Sequence, residues 1–329
     1  MKTSPSHSRK RMFTSSNKNR NLINIVNMKK SWLLLFLAFG IYGLNAQNDA
    51  DTAWKFGGEF SLMLAEASYE NWSAGGENSI AFNGMLNLFA NYHKGKSKWN
   101  NNLALAYGQI KTGDLDYRKS EDKIDLSSVY GLEAAEKWYY SSLFSFKSQF
   151  APGYEYPGDT AKVKISDFLA PAYVSLGIGM EYTPSESFSF YVSPATARLI
   201  IVNDQDLANA GAFGVEPAEL DDEGNMISEG EQTKFEFGAM TRFMYRQEII
   251  KNVVLQSKLE LFSNYLEDPQ NIDVNWDNLL NMKINKFLSA NITAQLLYDH
   301  DTKFVDDDGS VGPRTQFKHS IGVGFSYAF

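Results

Sequence analysis

The chain has no cysteine, so neither a disulfide nor a thiolate-bound metal is available to it. It has four histidines, and beyond position 7 only His93, His300 and His319 remain for acid–base chemistry. None stands with a nucleophile motif such as G-x-S-x-G. Glycine-rich nucleotide-binding motifs are also missing. The apolar run Trp32–Ile41 is too short to span a bilayer. Acidic residues are absent from positions 1–46, which hold eight of the 31 Lys and Arg. The remainder sets 23 basic against 39 acidic residues, a net charge of −16. These absences lead to the expectation of no enzymatic activity, no cofactor, no metal and no nucleic-acid partner.

Aromatics, by contrast, make up 14% of the 329 residues, most of them Phe (23) and Tyr (17). The mean hydropathy of −0.33 excludes a bundle of membrane helices. It does not exclude a membrane barrel, in which oily and wet positions alternate and cancel in any average. That alternation is clearest in Gln316–Phe329. Phe329, Tyr327, Phe325, Val323 and Ile321 fall on one face, and Ala328, Ser326, Gly324, Gly322 and Ser320 on the other. The same period recurs from Trp54 onward. Phe235, Phe237, Phe243 and Tyr245 alternate with Glu236, Gly238, Arg242 and Arg246, and Val253, Leu255, Leu259 and Leu261 with Gln256, Lys258 and Glu260. About twelve such strands are expected.

The links between them sort by length. Short ones fall at Lys94–Lys98, Lys137, Ser185–Ser187, Lys251-Asn252 and Lys286-Phe287. Longer ones fall at Tyr69–Ser79, Gly113–Lys123, Ala151–Pro171, Asn203–Thr233, Glu267–Ile272 and Asp301–Thr315. Short and long alternate without exception, as periplasmic turns and outer loops do in a transmembrane antiparallel up-and-down β-barrel. Trp99, Trp138, Tyr92, Tyr182, Tyr265 and Tyr298 lie toward strand ends, where interfacial girdles form. A soluble sandwich would alternate as well, but would have no reason to sort its loops.

Ahead of the barrel, Met28-Lys29-Lys30, the apolar run and Gly43-Leu44-Asn45-Ala46 read as a signal peptide over 28–46. The basic Ser/Asn-rich stretch 1–27 is expected to be an upstream extension, with Met28 as the start and 47–329 as the outer-membrane domain. No cysteine follows the cleavage site, which argues against a lipoprotein. Export to the outer membrane is expected.

A strand ending the chain on an aromatic residue resembles the terminal strand of bacterial outer-membrane barrels. That resemblance implies an assembly signal in Phe329, Tyr327 and Phe325, and the barrel-assembly machinery as a partner. Two further segments, ASYENWSAGGENSIAFNG over Ala67–Gly84 and VSPATARLIIVNDQDLANAGAFGV over Val192–Val215, are more specific. Through Asn71-Trp72, Gly75-Gly76, Gly211 and Phe213-Gly214 the chain resembles a Gram-negative outer-membrane β-barrel family defined only as a domain of unknown function. The resemblance implies a single barrel domain and carries no catalytic residue.

Alternation assigns Asp125, Glu133, Glu181, Glu236, Arg242, Arg246, Glu248, Lys258, Glu260 and Lys283 to the lumen. Charges of both signs suit a channel lining for small solutes or a closed, salt-bridged interior, and a barrel of about twelve strands lies between the filled and open classes. The link Asn203–Thr233 has nine acidic residues and no Lys or Arg. With Tyr69–Ser79 it is the candidate surface for an envelope protein partner, while outer-membrane lipid surrounds the wall. Asp221-Asp222-Glu223-Gly224-Asn225 and Asp306-Asp307-Asp308-Gly309-Ser310 read as solvated acidic tips rather than Ca²⁺ loops, because neither has the twelve-residue spacing. Val192–Val215 is either a strand followed by a loop or a segment that folds back as a plug.

Overall fold

The structure, a computed structural model, describes residues 53–69, 76–157, 161–305 and 309–329. The expected extension, the signal peptide, Asn71, Trp72, Gly75 and Asp306–Asp308 lie outside the described residues. The chain begins its meander with β1 (Trp54–Ala67), β2 (Ser79–Lys94), β3 (Ser97–Thr112), β4 (Arg118–Ala135) and β5 (Trp138–Ser148). A small hairpin of β6 (Gly153–Glu155) and β7 (Val163–Ser166) precedes β8 (Ala172–Ser185) and β9 (Phe188–Ile201). The long link that follows holds a short helix α1 (Gln205–Asn209) and a hairpin of β10 (Glu219–Leu220) and β11 (Met226–Ser228). Then come β12 (Thr233–Ile250), β13 (Val253–Asn264), β14 (Ile272–Lys283) and β15 (Leu288–Tyr298). A last outer hairpin, β16 (Lys303–Val305) with β17 (Val311–Pro313), leads to β18 (Gln316–Ala328).

Twelve of these strands form one closed antiparallel barrel, each paired with its neighbours in chain order. Closure is made by β1 against β18, with Glu59 opposite Ala328 and Met63 opposite Gly324. Phe329 extends the seam: its N–H donates to Gly58 O at 3.0 Å, and its O accepts from Gly58 N–H at 2.9 Å. The final aromatic residue therefore completes the ring of hydrogen bonds, which a barrel in hydrocarbon cannot leave open. Tyr327 and Phe329 stack outside at 6.1 Å, and Phe325 stacks on Phe287 at 6.0 Å.

The period-2 pattern places oily side chains outside. Ile178 is 68% exposed and Ile321 71%, with Phe56, Leu64, Leu176, Phe235 and Phe317 also bare, whereas inward Glu236 is fully buried. An apolar surface wrapping the whole wall suits hydrocarbon and not water. Trp54, Tyr92 and Trp99 cluster with ring centroids 5.2 to 5.7 Å from Trp54, and Trp138 lies 4.8 Å from Tyr182, all at the short-turn end.

The pattern breaks in β9. Pro194 has no N–H to give to a ladder, and the chain bulges there, shifting register against both β8 and β12. Ser193 Oγ donates within this bulge, where Ile178 O and Ala195 O each lie 2.9 Å away, and Thr196 Oγ1 donates to Ser193 Oγ at 2.8 Å. The bulge presses so closely on β8 that a Cβ on Gly179 would meet Val192 O at 2.0 Å. The segment Val192–Val215 is thus a bulged strand to Ile201 and a folded outer link after it. Strand β4 starts at Arg118, six residues before the alternation suggests, because Arg118 and Lys119 pair with Ile110 and Gln109 across a register shift at Gly108.

Replacing Ile178 or Ile321 by Arg puts a charge at the middle of this apolar belt. Each change is expected to destabilise the barrel by about 2–4 kcal/mol, measured by denaturant titration in lipid or detergent. A cost near zero at both positions would mean that the belt does not face hydrocarbon.

Candidate functional site: the lumen and its two ends

The inward side chains form layers. At mid-height Asp125 on β4 accepts from Lys258 on β13 at 2.6 Å, and Lys123 reaches Asp277 on β14 at 3.3 Å. Strands β4 and β14 stand six places apart in a ring of twelve, on opposite walls. The Lys123–Asp277 contact therefore crosses the full diameter. Lys147 on β5 pairs with Glu260 on β13. Arg242 Nε donates to Glu260 Oε1 at 3.0 Å, and its two terminal nitrogens donate to Ser127 Oγ at 2.9 and 3.0 Å. Seven charged side chains thus tie five strands across the bore. Beside them Val129, Leu143, Tyr191, Met240 and Phe262 make an apolar cluster inside the barrel.

Nearer the long-loop end, Arg198 on β9 pairs with Glu236 on β12 and Asp273 on β14, and its guanidinium lies 3.9 Å from the centroid of the Phe262 ring. Lys234 reaches Asp301 at 2.5 Å and Glu267 at 3.0 Å. Above this layer the link after β9 folds into a cap. Leu207 and Ala208 of α1 pack with Val202, Val215 and Ala170, flanked by Ala212 and Phe213. Gly211, Phe213 and Gly214 carry φ of +70°, +60° and +81°, and these left-handed turns drive the chain back toward the wall. A Cβ on Gly214 would meet that of Asp301 at 2.9 Å, so the cap reaches from β9 to the far side of β15.

Asp204 caps α1 by accepting from Leu207 N–H at 3.1 Å and also pairs with Lys164 of β7. The Lys164 hydrogen bond holds the Asp204 carboxyl below its ordinary range, and the same bond holds the lysine above its own. Asp221 is held low by hydrogen bonds from Asn225, whose N–H donates at 2.7 Å, so this acidic tip is a closed turn. The acidic link is therefore folded through α1 and its hairpin, while Asp222, Glu223, Gly224 and Asn225 at its tip are exposed, as the sequence suggests.

At the short-turn end the lumen opens into a vestibule of about 310 Å³, lined by Glu59, Glu248, Asn281, Lys283, Lys286 and neighbouring small residues. Asn281 Nδ2 donates to Glu59 Oε1 at 2.7 Å. Glu248 Oε1 accepts from Asn252 N–H at 2.6 Å in the turn after β12.

Of the charges assigned to the lumen by alternation, Glu236, Arg242, Lys258, Glu260 and Asp125 meet in the two ionic layers. Glu181 pairs with Lys98 at 3.1 Å farther down, and Glu133 sits opposite Tyr139 near the same end. Arg246, Glu248 and Lys283 occupy inward positions but are exposed at the mouth and join neither layer. Gly76 has φ +144° beside the Tyr69 ring. Residues not singled out in the sequence include Lys123, Lys147, Asp277, Arg198 and Asp273. Arg198 is hidden by the bulge, which changes the inward phase from odd to even between Ser193 and Thr196. Lys123 sits in what the spacing reads as a loop. Asp277 was readable, because it alternates with Trp276 and Asn278. His319 is exposed on the outer wall, its ring 5.7 Å from that of Phe317, while Ser320 turns inward to Thr293 Oγ1 at 2.6 Å.

Residues 64–154 match the family described as protein of unknown function (DUF3078). No curated protein matches the chain in sequence. Among solved structures it is similar to the translocator domain of the autotransporter NalP from Neisseria meningitidis, at 11% identity over 93% of this chain and 98% of that one, with a TM-score of 0.37. An outer-membrane channel from Pseudomonas putida F1 is 11% identical over 87% and 98%, with a TM-score of 0.36. Outer membrane phospholipase A from Escherichia coli is 11% identical over 86% and 95%, with a TM-score of 0.30. Likenesses this low say nothing about solutes or activity.

Two outcomes follow from this geometry. Glu236→Ala leaves Arg198 buried with half its partners, and should cost about 3–5 kcal/mol in unfolding titrations. For the cap, a carboxyl with a depressed folded pKa stabilises above its unfolded value of about 3.9 and loses that contribution as pH falls through the lower folded value. Amide protection in 205–209, corrected for intrinsic exchange rates, should therefore drop in acid below about pH 4. Lys164→Gln should show the same loosening at neutral pH.

Proposed function

We propose that this chain is an outer-membrane barrel, exported by its leader and surrounded by lipid, whose lumen is shut at rest and admits or binds small polar solutes only when the ionic layer rearranges. The observation that carries this reading is the contact of Lys123 with Asp277 between opposite walls, flanked by Lys258–Asp125 and Lys147–Glu260. Ion pairs between opposite walls narrow the bore and place fixed charges across the path a solute would take. The vestibule on the short-turn side is the part open to solvent, and Lys283, Lys286 and Glu248 give it charges of both signs. The function is non-enzymatic, and its partners are lipid, the assembly machinery that reads Phe325, Tyr327 and Phe329, and the solute itself.

A second reading has its own observation. The cap is a packed fold with an apolar core and a helix N-cap, which is more structure than a loop needs merely to cover a pore. As a closed scaffold the barrel would present this cap to an envelope partner.

Planar-bilayer recordings separate the two. Refolded wild-type protein should be nearly silent, and Lys123→Gln combined with Asp277→Asn should give discrete conductance steps. A large steady conductance from the wild type would defeat the shut-lumen reading. Silence from the double variant, with the barrel intact, would favour the scaffold.

A further inference from the structure

Outside the barrel, the wall made by β3, β4 and β5 carries a shallow groove of about 300 Å³, lined by Trp99, Ser128, Tyr130, Ser142 and Phe144. These are outward positions. The groove exists because two short serines stand between three large rings. Its floor is polar by construction. Trp99 Nε1 donates to Ser128 Oγ at 2.7 Å, Ser128 Oγ donates to Asn101 Oδ1 at 2.8 Å, and Asn101 Nδ2 donates to Ala90 O at 3.0 Å. The Ser142 hydroxyl has no partner among the described residues. Ser128 and Asn101 are satisfied by this chain of hydrogen bonds, but the Ser142 hydroxyl is not, and an unmet hydroxyl on a hydrocarbon-facing wall costs free energy, so it asks for an amphiphilic neighbour.

Charge says which one. The groove lies at the level of the aromatic girdle, and the adjoining short turns carry Lys94, Lys96 and Lys137, all exposed. Among the described residues, Lys137 is paired only with the solvent-facing Glu136, at 3.8 Å. Lys96 lies in the turn just before β3, three residues ahead of Trp99 and so at most about 10 Å from it along the chain, a span that a lysine side chain and a glycerophosphate bridge together.

We infer that this groove is a binding site for an anionic phospholipid of the inner leaflet, with its phosphate at Lys96 and Lys137, an ester oxygen accepting from the Ser142 hydroxyl, and an acyl chain between Trp99, Tyr130 and Phe144. The inference rests on the outer-membrane reading given above. It adds a specific lipid to a wall that would otherwise meet lipid only as solvent.

Native mass spectrometry of the full barrel in detergent, titrated with phosphatidylglycerol and separately with phosphatidylcholine, tests it. One phosphatidylglycerol should be retained at least five-fold more than phosphatidylcholine. That preference should vanish in Lys96→Glu/Lys137→Glu, which alters only exposed turns, and in Ser128→Leu/Ser142→Leu, which fills the groove. A heat-dependent gel shift confirms that each variant is folded. Equal retention of both lipids, equal retention by wild type and variants, or a dimer that the filled groove abolishes would each overturn the inference, the last in favour of a second copy of the chain. If the protein stays soluble without detergent, the membrane reading itself fails and this site goes with it. If it needs detergent, folds and shows no lipid preference, only the phospholipid site is lost.

Discussion

In hydrocarbon a backbone N–H has no water to bond to, so every strand of this chain must find a partner on both sides. That requirement turns on one seam, β1 against β18. There the last residue exchanges two hydrogen bonds with Gly58, so the chain end is part of the wall and not a tail beyond it. The glycines at the seam serve this closeness. A Cβ on Gly324 would meet Leu62 O at 2.1 Å, and one on Gly58 would crowd Asn87 O and the Phe329 ring. Small inward residues on β18 are therefore a condition of closure as well as of lumen space.

Once closed, the barrel has an interior lined by charges of both signs. The chain fills it with ion pairs that run between walls. Buried pairs are weak evidence of stability, because desolvation offsets much of their attraction. What they supply is geometry: Lys123–Asp277 and Lys258–Asp125 determine which walls approach each other. Charge is unevenly shared along the axis. Lysines and Arg242 outnumber carboxylates in the middle layer, whereas carboxylates outnumber cations around Arg198 and Lys234 and in the cap above them. From the long-link end inward, negative charge comes first and positive charge behind it.

The two sides of the wall are coupled through the strands themselves. Ser127, which accepts the Arg242 guanidinium inside, is the neighbour of Ser128, which accepts the Trp99 indole outside. Adjacent residues of β4 thus hold the ionic layer and the floor of the lipid-facing groove.

The strand count, the alternation of short and long links, the outward belt and the assignment of Glu236, Arg242, Lys258 and Glu260 to the interior were all legible in the chain, because a period of two is a local property and each strand carries it alone. Three things were not. Arg198 could not be placed, because a bulge at Pro194 reverses the phase and only the pairing partners reveal it. The folding of 202–232 into a cap depends on contacts with Ala170, Lys164 and Asp301, far off in sequence. Whether inward charges line a pore or bar it depends on which strand faces which across the ring. Periodicity says in or out; only closure of the sheet sets Asp277 opposite Lys123, because distance across a barrel is decided by its circumference and tilt and by no residue taken singly.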